Sequence, residues 1–174
     1  MTISPPSEGE FGAFYAGYIA KVGDSGPLAM LASQVAAFET LRGLPETTGD
    51  FRYADGKWTV KELLGHMADA ERVFAYRLLR IARADKTPLA GFDENTWAEV
   101  APHGRRPLAD VADELIAVRR ATITLVGSLD ETAVGNTGVA NNTPVSARAI
   151  CWIIPGHAQH YLAIHAERYD VAIL

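Results

Sequence analysis

The chain has 174 residues, of which 48% are hydrophobic and 21% charged, enough for one domain with a sizeable core and too apolar for a disordered segment. A formal net charge of -5 speaks against nucleic acid or an anionic membrane surface as partner, because phosphate binding needs a basic patch. The one cysteine, Cys151, excludes an internal disulfide, and no apolar run nears the roughly 20 residues of a membrane span.

The first 26 residues read as an arm. The start is polar, without a basic stretch and with Pro5 and Pro6, so no signal peptide is expected and the cytoplasm is the expected compartment. Phe11, Phe14, Tyr15 and Tyr18 are spaced through the arm. They pack it on the outside of the domain or, in a sharper reading, bring Tyr15 or Tyr18 to the rim of a pocket.

Four long helices follow. The first is expected from about Pro27 to Arg42, with Pro27 in the first turn and Gly43 and Pro45 as the stop. Its apolar positions are Leu28, Leu31, Val35, Phe38 and Leu41. Thr59-Val60-Lys61-Glu62 is a capping box that opens the second helix. The stripe Val60, Leu63, Leu64, Met67, Phe74, Leu78 and Ile81 carries that helix to about Ala84-Asp85, with Arg77, Arg80 and Arg83 read as one solvated face. The long, turn-rich segment from Lys86 to Arg106 can carry the chain back along the bundle, which would make helices two and three parallel. Within it, His103 is expected in solvent. The third helix runs from about Pro107 to Leu129. After the loop DETAVGNTGVANNTP, Thr143 and Pro144 are expected to cap and open a fourth helix that continues to about Tyr169. Without convincing strands, the fold class is all-α, a four-helix bundle.

The histidines cluster. His157, His160 and His165 fall on the fourth helix and His66 on the second. At roughly 100° per residue, His157 sits near the centre of the apolar stripe Ile150, Ile153, Ile154 and Ile164, with His160 and Tyr161 flanking it and His165 at the edge. Imidazoles on a buried stripe need hydrogen bonds or a metal. The spacing leaves both readings open: a structural network, or a metal site built between facing helices. Asp69, one turn beyond His66, either orients the His66 ring from behind or pairs with Arg72. Pro155-Gly156, just before His157, is expected to bend the helix, as a tolerated irregularity or as a device that aims the ligands. Cys151, inside Ile150-Cys151-Trp152-Ile153-Ile154, reads as a buried inert thiol. The chain has no Glu-x-x-His pair for a di-iron bundle, no phosphate-binding glycine loop and no Gly-x-Ser-x-Gly elbow.

Three long strings resemble the DinB-like superfamily: Lys57 to Arg72 (KWTVKELLGHMADAER), ARADKTPLAGFDENTW at 82–97, and NTPVSARAICWIIPGHAQHYLAIHAERY. The resemblance implies an up-down-down-up bundle with a long connection between helices two and three. It implies, in many members, a homodimer, and beside the arm over 1–26 the rest of the chain, 27–174, is expected as a single domain. It also implies a divalent metal on three histidines. The first matches His66 and the second His157, but the third falls on Tyr161. The third ligand is then Tyr161 as a phenolate or His160 as a substitute. Zinc, nickel or iron suits imidazoles, manganese less so. The implied function is that of a metal-dependent enzyme on a small-molecule substrate, a hydrolase or a transferase using a low-molecular-weight thiol. Asp93 and Glu94 are candidate acid/base groups. The alternative is a non-catalytic dimeric bundle with a degenerate metal site, favoured by Tyr161. Neither reading brings in nucleic acid or a membrane.

Overall fold

The structure, a computed structural model, describes residues 2–169, so the last five residues of the expected 27–174 domain lie outside the described part. Four long helices dominate: α1 (Pro27–Arg42), α2 (Val60–Ala82), α3 (Leu108–Gly127) and α4 (Ala147–Arg168). None of them is long and apolar enough to cross a membrane. α1 and α3 run antiparallel, as the pairs Arg42–Asp113 and Glu39–Arg120 at one end and Gln34–Arg119 further along require. Leu63 and Leu64 share one apolar cluster with Leu108 and Val111, and Ile81 shares the other with Val126, so α2 and α3 are parallel. α4 runs against α2, with Tyr169 bonded to the carbonyl of Trp58 and His157 beside His66 and Phe74. The bundle is therefore up-down-down-up.

Local chemistry explains the ends. At α2, Thr59 Oγ1 accepts from the amide of Glu62 at 3.2 Å while the Glu62 carboxylate accepts from the amide of Thr59 at 2.7 Å, a box that contributes about 1 kcal/mol. The helix ends at Ala82, and Ala84 takes a left-handed φ of 60°. The amide of Leu108, free at the start of α3, finds the Glu46 carboxylate at 3.0 Å, supplied by the short helix Glu46–Gly49. The buried ammonium of Lys61 ties that short helix to α2 through Glu46 and Asp50.

Four expectations need correction. Thr143 and Pro144 do not open α4. They lie in β2 (Thr143–Ser146), which pairs antiparallel with β1 (Thr137–Ala140), and Ser146 is the cap, accepting from the amide of Ala149 at 2.9 Å. The hairpin turns on Asn141 and Asn142, both at positive φ, which Asn tolerates and a two-residue hairpin loop demands. His103 is not in solvent: only 5% of it is exposed. Arg77 is not on the solvated face with Arg83 but buried, while Leu28 of the expected α1 stripe is exposed.

The core is split in two at mid-height. One apolar cluster holds Leu31, Leu78, Ile81, Val126 and Ile150; the other holds Phe38, Leu41, Leu64, Met67 and Leu115. Between them lies a polar layer. The fully buried Arg119 donates from Nε and Nη2 to the Glu71 carboxylate at 2.8 and 2.7 Å, and from Nη1 to Gln34 Oε1. Gln34 Nε2 in turn donates to the carbonyl of Pro155 at 2.9 Å. The Arg119 guanidinium rests over the Phe38 ring at 5.0 Å. Four side-chain contacts thus join all four helices at one level.

His165 poses a different problem. It is wholly buried and neither ring nitrogen has a partner among the described residues. Burial lowers its pKa to about 4.

Two predictions follow from this core. Arg119→Met leaves the Glu71 carboxylate buried without its cation, and urea unfolding should show a loss of about 3–5 kcal/mol. Equal stability in the variant would mean that the layer holds nothing together. For His165, the folded pKa lies below the unfolded one, so the unfolded chain takes up the proton first. Its contribution is intact above about pH 6.5 and disappears as pH falls toward 4. Stability measured from pH 7 to 4.5 should fall less steeply in His165→Leu than in the parent, and parallel curves would count against this account.

Candidate functional site

The seam between α2 and α4 opens beside the polar layer into a cavity of about 480 Å³. His66 reaches it from α2, and His157 and Tyr161 from α4, one helical turn apart. The His66 and His157 ring centroids are 5.5 Å apart, and the Tyr161 ring lies 5.0 Å from the first and 4.9 Å from the second. Trp58 backs His66 at 4.9 Å and Phe74 flanks His157 at 5.5 Å.

Both imidazoles are buried, with 6% exposure each. Desolvation lowers His66 to about 4, and it holds His157 well below the ordinary histidine range, aided by His66, His160 and Arg119 nearby. Both rings are therefore neutral at pH 7, each with one nitrogen lone pair. Nε2 of His66 is buried without a partner among the described residues. Burial pushes the Tyr161 phenol up, with Tyr18 and Glu94 adding to the shift, so Tyr161 keeps its proton and is a hydrogen-bond donor.

His160 does not line the cavity. It lies half-buried between Tyr18 and Tyr161, with ring centroids 5.4 and 5.1 Å away. Asp69 meets Nε2 of His103 at 3.0 Å and Arg72 at 3.4 Å, and no hydrogen bond joins it to His66 among the described residues. The His103 ring lies on the backbone of Gly65, where a Cβ would come within 2.1 Å of it. Of the two loop carboxylates, Glu94 lines the cavity, whereas Asp93 is spent on the amides of Asn95 and Thr96 as the cap of the short helix Glu94–Val100.

The roof comes from the arm. Glu10 is held by Ser146 and Arg148, and the carbonyl of Ile3 accepts from the Trp152 indole. The short helix Ala16–Ala20 then crosses α4, where the Tyr18 carbonyl sits 2.0 Å from where a Cβ on residue 156 would be, so only glycine fits there. Tyr15 and Tyr18 both line the cavity, and the Tyr18 ring stands 5.4 Å from His157. Cys151 plays no part: it is buried and its thiol is pushed up to about 12 by burial.

Arg77 is the lining residue that the pattern of α2 hid among surface arginines. Its position, three after Phe74 and four before Ile81, was the available signal, because those spacings put it on the buried face.

A bound divalent ion would need ligands that converge. Two imidazoles sharing one ion at a nitrogen distance of about 2.1 Å, near-tetrahedrally, have centroids roughly 5.3 Å apart. The 5.5 Å between His66 and His157 fits that, as does the orphaned Nε2. The complement stops at two: among the described residues no three His, Cys, Asp or Glu side chains group as a ligand set.

The model of the DinB superfamily matches residues 30–164, which takes in most of α1 and α4 and all between. A protein of Oceanobacillus iheyensis named "putative metal-dependent hydrolase" is 25% identical over 127 residues, 72% of each chain. The structure of YfiT from Bacillus subtilis, described as a probable metal-dependent hydrolase with an unusual four-helix bundle topology, superposes with a TM-score of 0.71 over 96% of this chain and 92% of that one, at 16% identity. That likeness speaks for the fold, and the family match spans more than three quarters of the sequence. With its bundle order and the seam between α2 and α4, the chain belongs to the DinB superfamily.

Proposed function

We propose that the chain is a metal-dependent enzyme that acts on a small molecule in the cavity between α2 and α4, by hydrolysis or by transfer to a low-molecular-weight thiol. The observation that carries this reading is the pair of neutral, buried imidazoles facing each other at 5.5 Å across that cavity. The names of the Oceanobacillus and Bacillus relatives support the same class.

His66 and His157 are the residues that would hold the ion, and Tyr161 occupies the third position. When bound, a divalent ion supplies Lewis acidity that lowers the pKa of a coordinated water or thiol toward neutrality. The chain's own groups do the rest. Desolvation keeps both imidazoles neutral, so each offers a lone pair at pH 7 without first losing a proton. Tyr161, kept protonated by burial, donates a hydrogen bond to an oxygen placed between it and the imidazoles. Glu94, also in the lining, accepts a proton from the attacking group. Trp58, Phe74 and the arm exclude bulk water from the seam, which strengthens each of these interactions.

The second reading, a bundle without catalysis whose site no longer holds an ion, is favoured by the incomplete ligand set. Metal analysis separates the two. Protein purified without chelators should carry near one zinc, nickel or iron per chain, and His157→Ala should lose it. A parent protein without metal, whose melting temperature stays unchanged on adding zinc or nickel, would overturn the enzyme reading, because a ligand of the folded state must stabilise it.

A further inference from the structure

Among the described residues, three long cationic side chains are buried: Lys61, Arg77 and Arg119. Lys61 lies between Glu46 and Asp50, and Arg119 is gripped by Glu71. Arg77, only 4% exposed, has no carboxylate within ion-pair distance among those residues. Its Nη2 donates to the carbonyl of Ala90 at 2.7 Å, and its Nε is buried with no acceptor among the described residues. A buried charge without a counter-ion is a standing penalty that folding alone does not explain, so the missing anion is the natural question.

The guanidinium is held in place rather than left adrift. Phe74 and Phe92 flank it at 5.9 and 6.0 Å. The Ala90 carbonyl that anchors it belongs to a loop pinned to the hairpin: the amide of Leu89 donates to Val139 and the amide of Asn141 to Leu89, both at 2.9 Å. Arg77 also lines the cavity that holds His66 and His157, and it is the one Arg or Lys among the lining residues. Phe74 bridges the two ends, its ring 5.5 Å from His157 and 5.9 Å from the Arg77 carbon. That gap suits a small organic acid. The opposite charge in the lining, Glu94, is felt by the Tyr18 and Tyr161 phenols and forms no ion pair with Arg77. The cavity is thus polarised along its length.

We propose that the substrate of this cavity is a small carboxylic acid whose carboxylate pairs with Arg77, with its apolar body along Phe74 and its reacting end toward His66 and His157. The choice of carboxylate follows from the site: one planar guanidinium fork matches a planar monoanion, whereas a phosphate dianion calls for a second cationic side chain, and the lining holds no Arg or Lys besides Arg77. The inference rests on reading the cavity as a substrate site, but the anion contact itself needs no metal.

Calorimetric titration with benzoate, benzamide and inorganic phosphate tests it, in the parent protein and in Arg77→Gln, Arg77→Lys and His157→Ala. Benzoate should bind the parent at least tenfold more tightly than its neutral isostere benzamide, and phosphate should not displace it. Arg77→Gln should erase the preference, and Arg77→Lys, which keeps the charge but loses the fork, should weaken it. His157→Ala should retain it, so the anion site can stand even where the metal reading falls. Equal binding of benzoate and benzamide, an unchanged preference in Arg77→Gln, competition by phosphate, or a preference lost in His157→Ala alone would each overturn the proposal. One readout is independent of any ligand: Arg77→Met should raise the melting temperature of the free protein, because it removes an unpaired buried charge. A lower melting temperature would mark Arg77 as a structural residue and count against the idea.

Discussion

The grip of Arg119 on Glu71 and Gln34 is the contact around which the bundle is arranged. A guanidinium with no exposed surface and three protein partners admits one relative placement of α1, α2 and α3, and the Gln34 amide extends that constraint to the backbone of α4 at Pro155. Sliding or rotating one helix against the others would leave this buried charge unpaired, which is costly. His157 lies two residues beyond Pro155, and His66 five before Glu71. The network therefore sets the distance between the two imidazoles without touching either of them.

That arrangement also explains how two histidines come to be neutral inside a protein. Each is taken out of water by large neighbours, Trp58 for His66 and Phe74 for His157, and at His157 the nearby His66, His160 and Arg119 add to the effect. At His66 desolvation outweighs the opposing pull of Asp69, so both rings stay unprotonated with lone pairs. The same environment drives the Tyr161 phenol the other way, toward the protonated form. One apolar seam thus yields two bases and one donor without any base having to act on another.

Much of the fold was legible in the sequence because its signals are local. Pro27 and Gly43 bounded α1, the Thr59–Glu62 box opened α2, and the family strings supplied the bundle order. The hairpin was not legible: Asn141-Asn142 is a turn only when both residues adopt positive φ, and Thr143-Pro144 also spells a helix start. The histidine pair could be placed from helical spacing, since each ring lies at an inward angle of its own helix. Arg77 and His103 escaped because their burial depends on segments distant in sequence. The loop at Ala90 covers the one, and Gly65 with Asp69 receives the other. Arg119 escaped for the same cause: nothing near it in the chain announces Glu71 or Gln34.

The arm that crosses α4 at Gly156 belongs to no helix of the bundle, yet it furnishes Tyr15 and Tyr18 to the cavity wall. The wall that shapes the chamber is thus drawn from two sources, the bundle through His66, Phe74, Arg77, His157 and Tyr161 and the arm through Tyr15 and Tyr18, while Ile3 ties the same arm into the apolar core. Changes at Tyr18 can reshape what enters while the Arg119 layer keeps its partners. By the same logic, a side chain larger than hydrogen at position 156 would evict that part of the wall and widen the mouth through which solvent reaches the imidazoles.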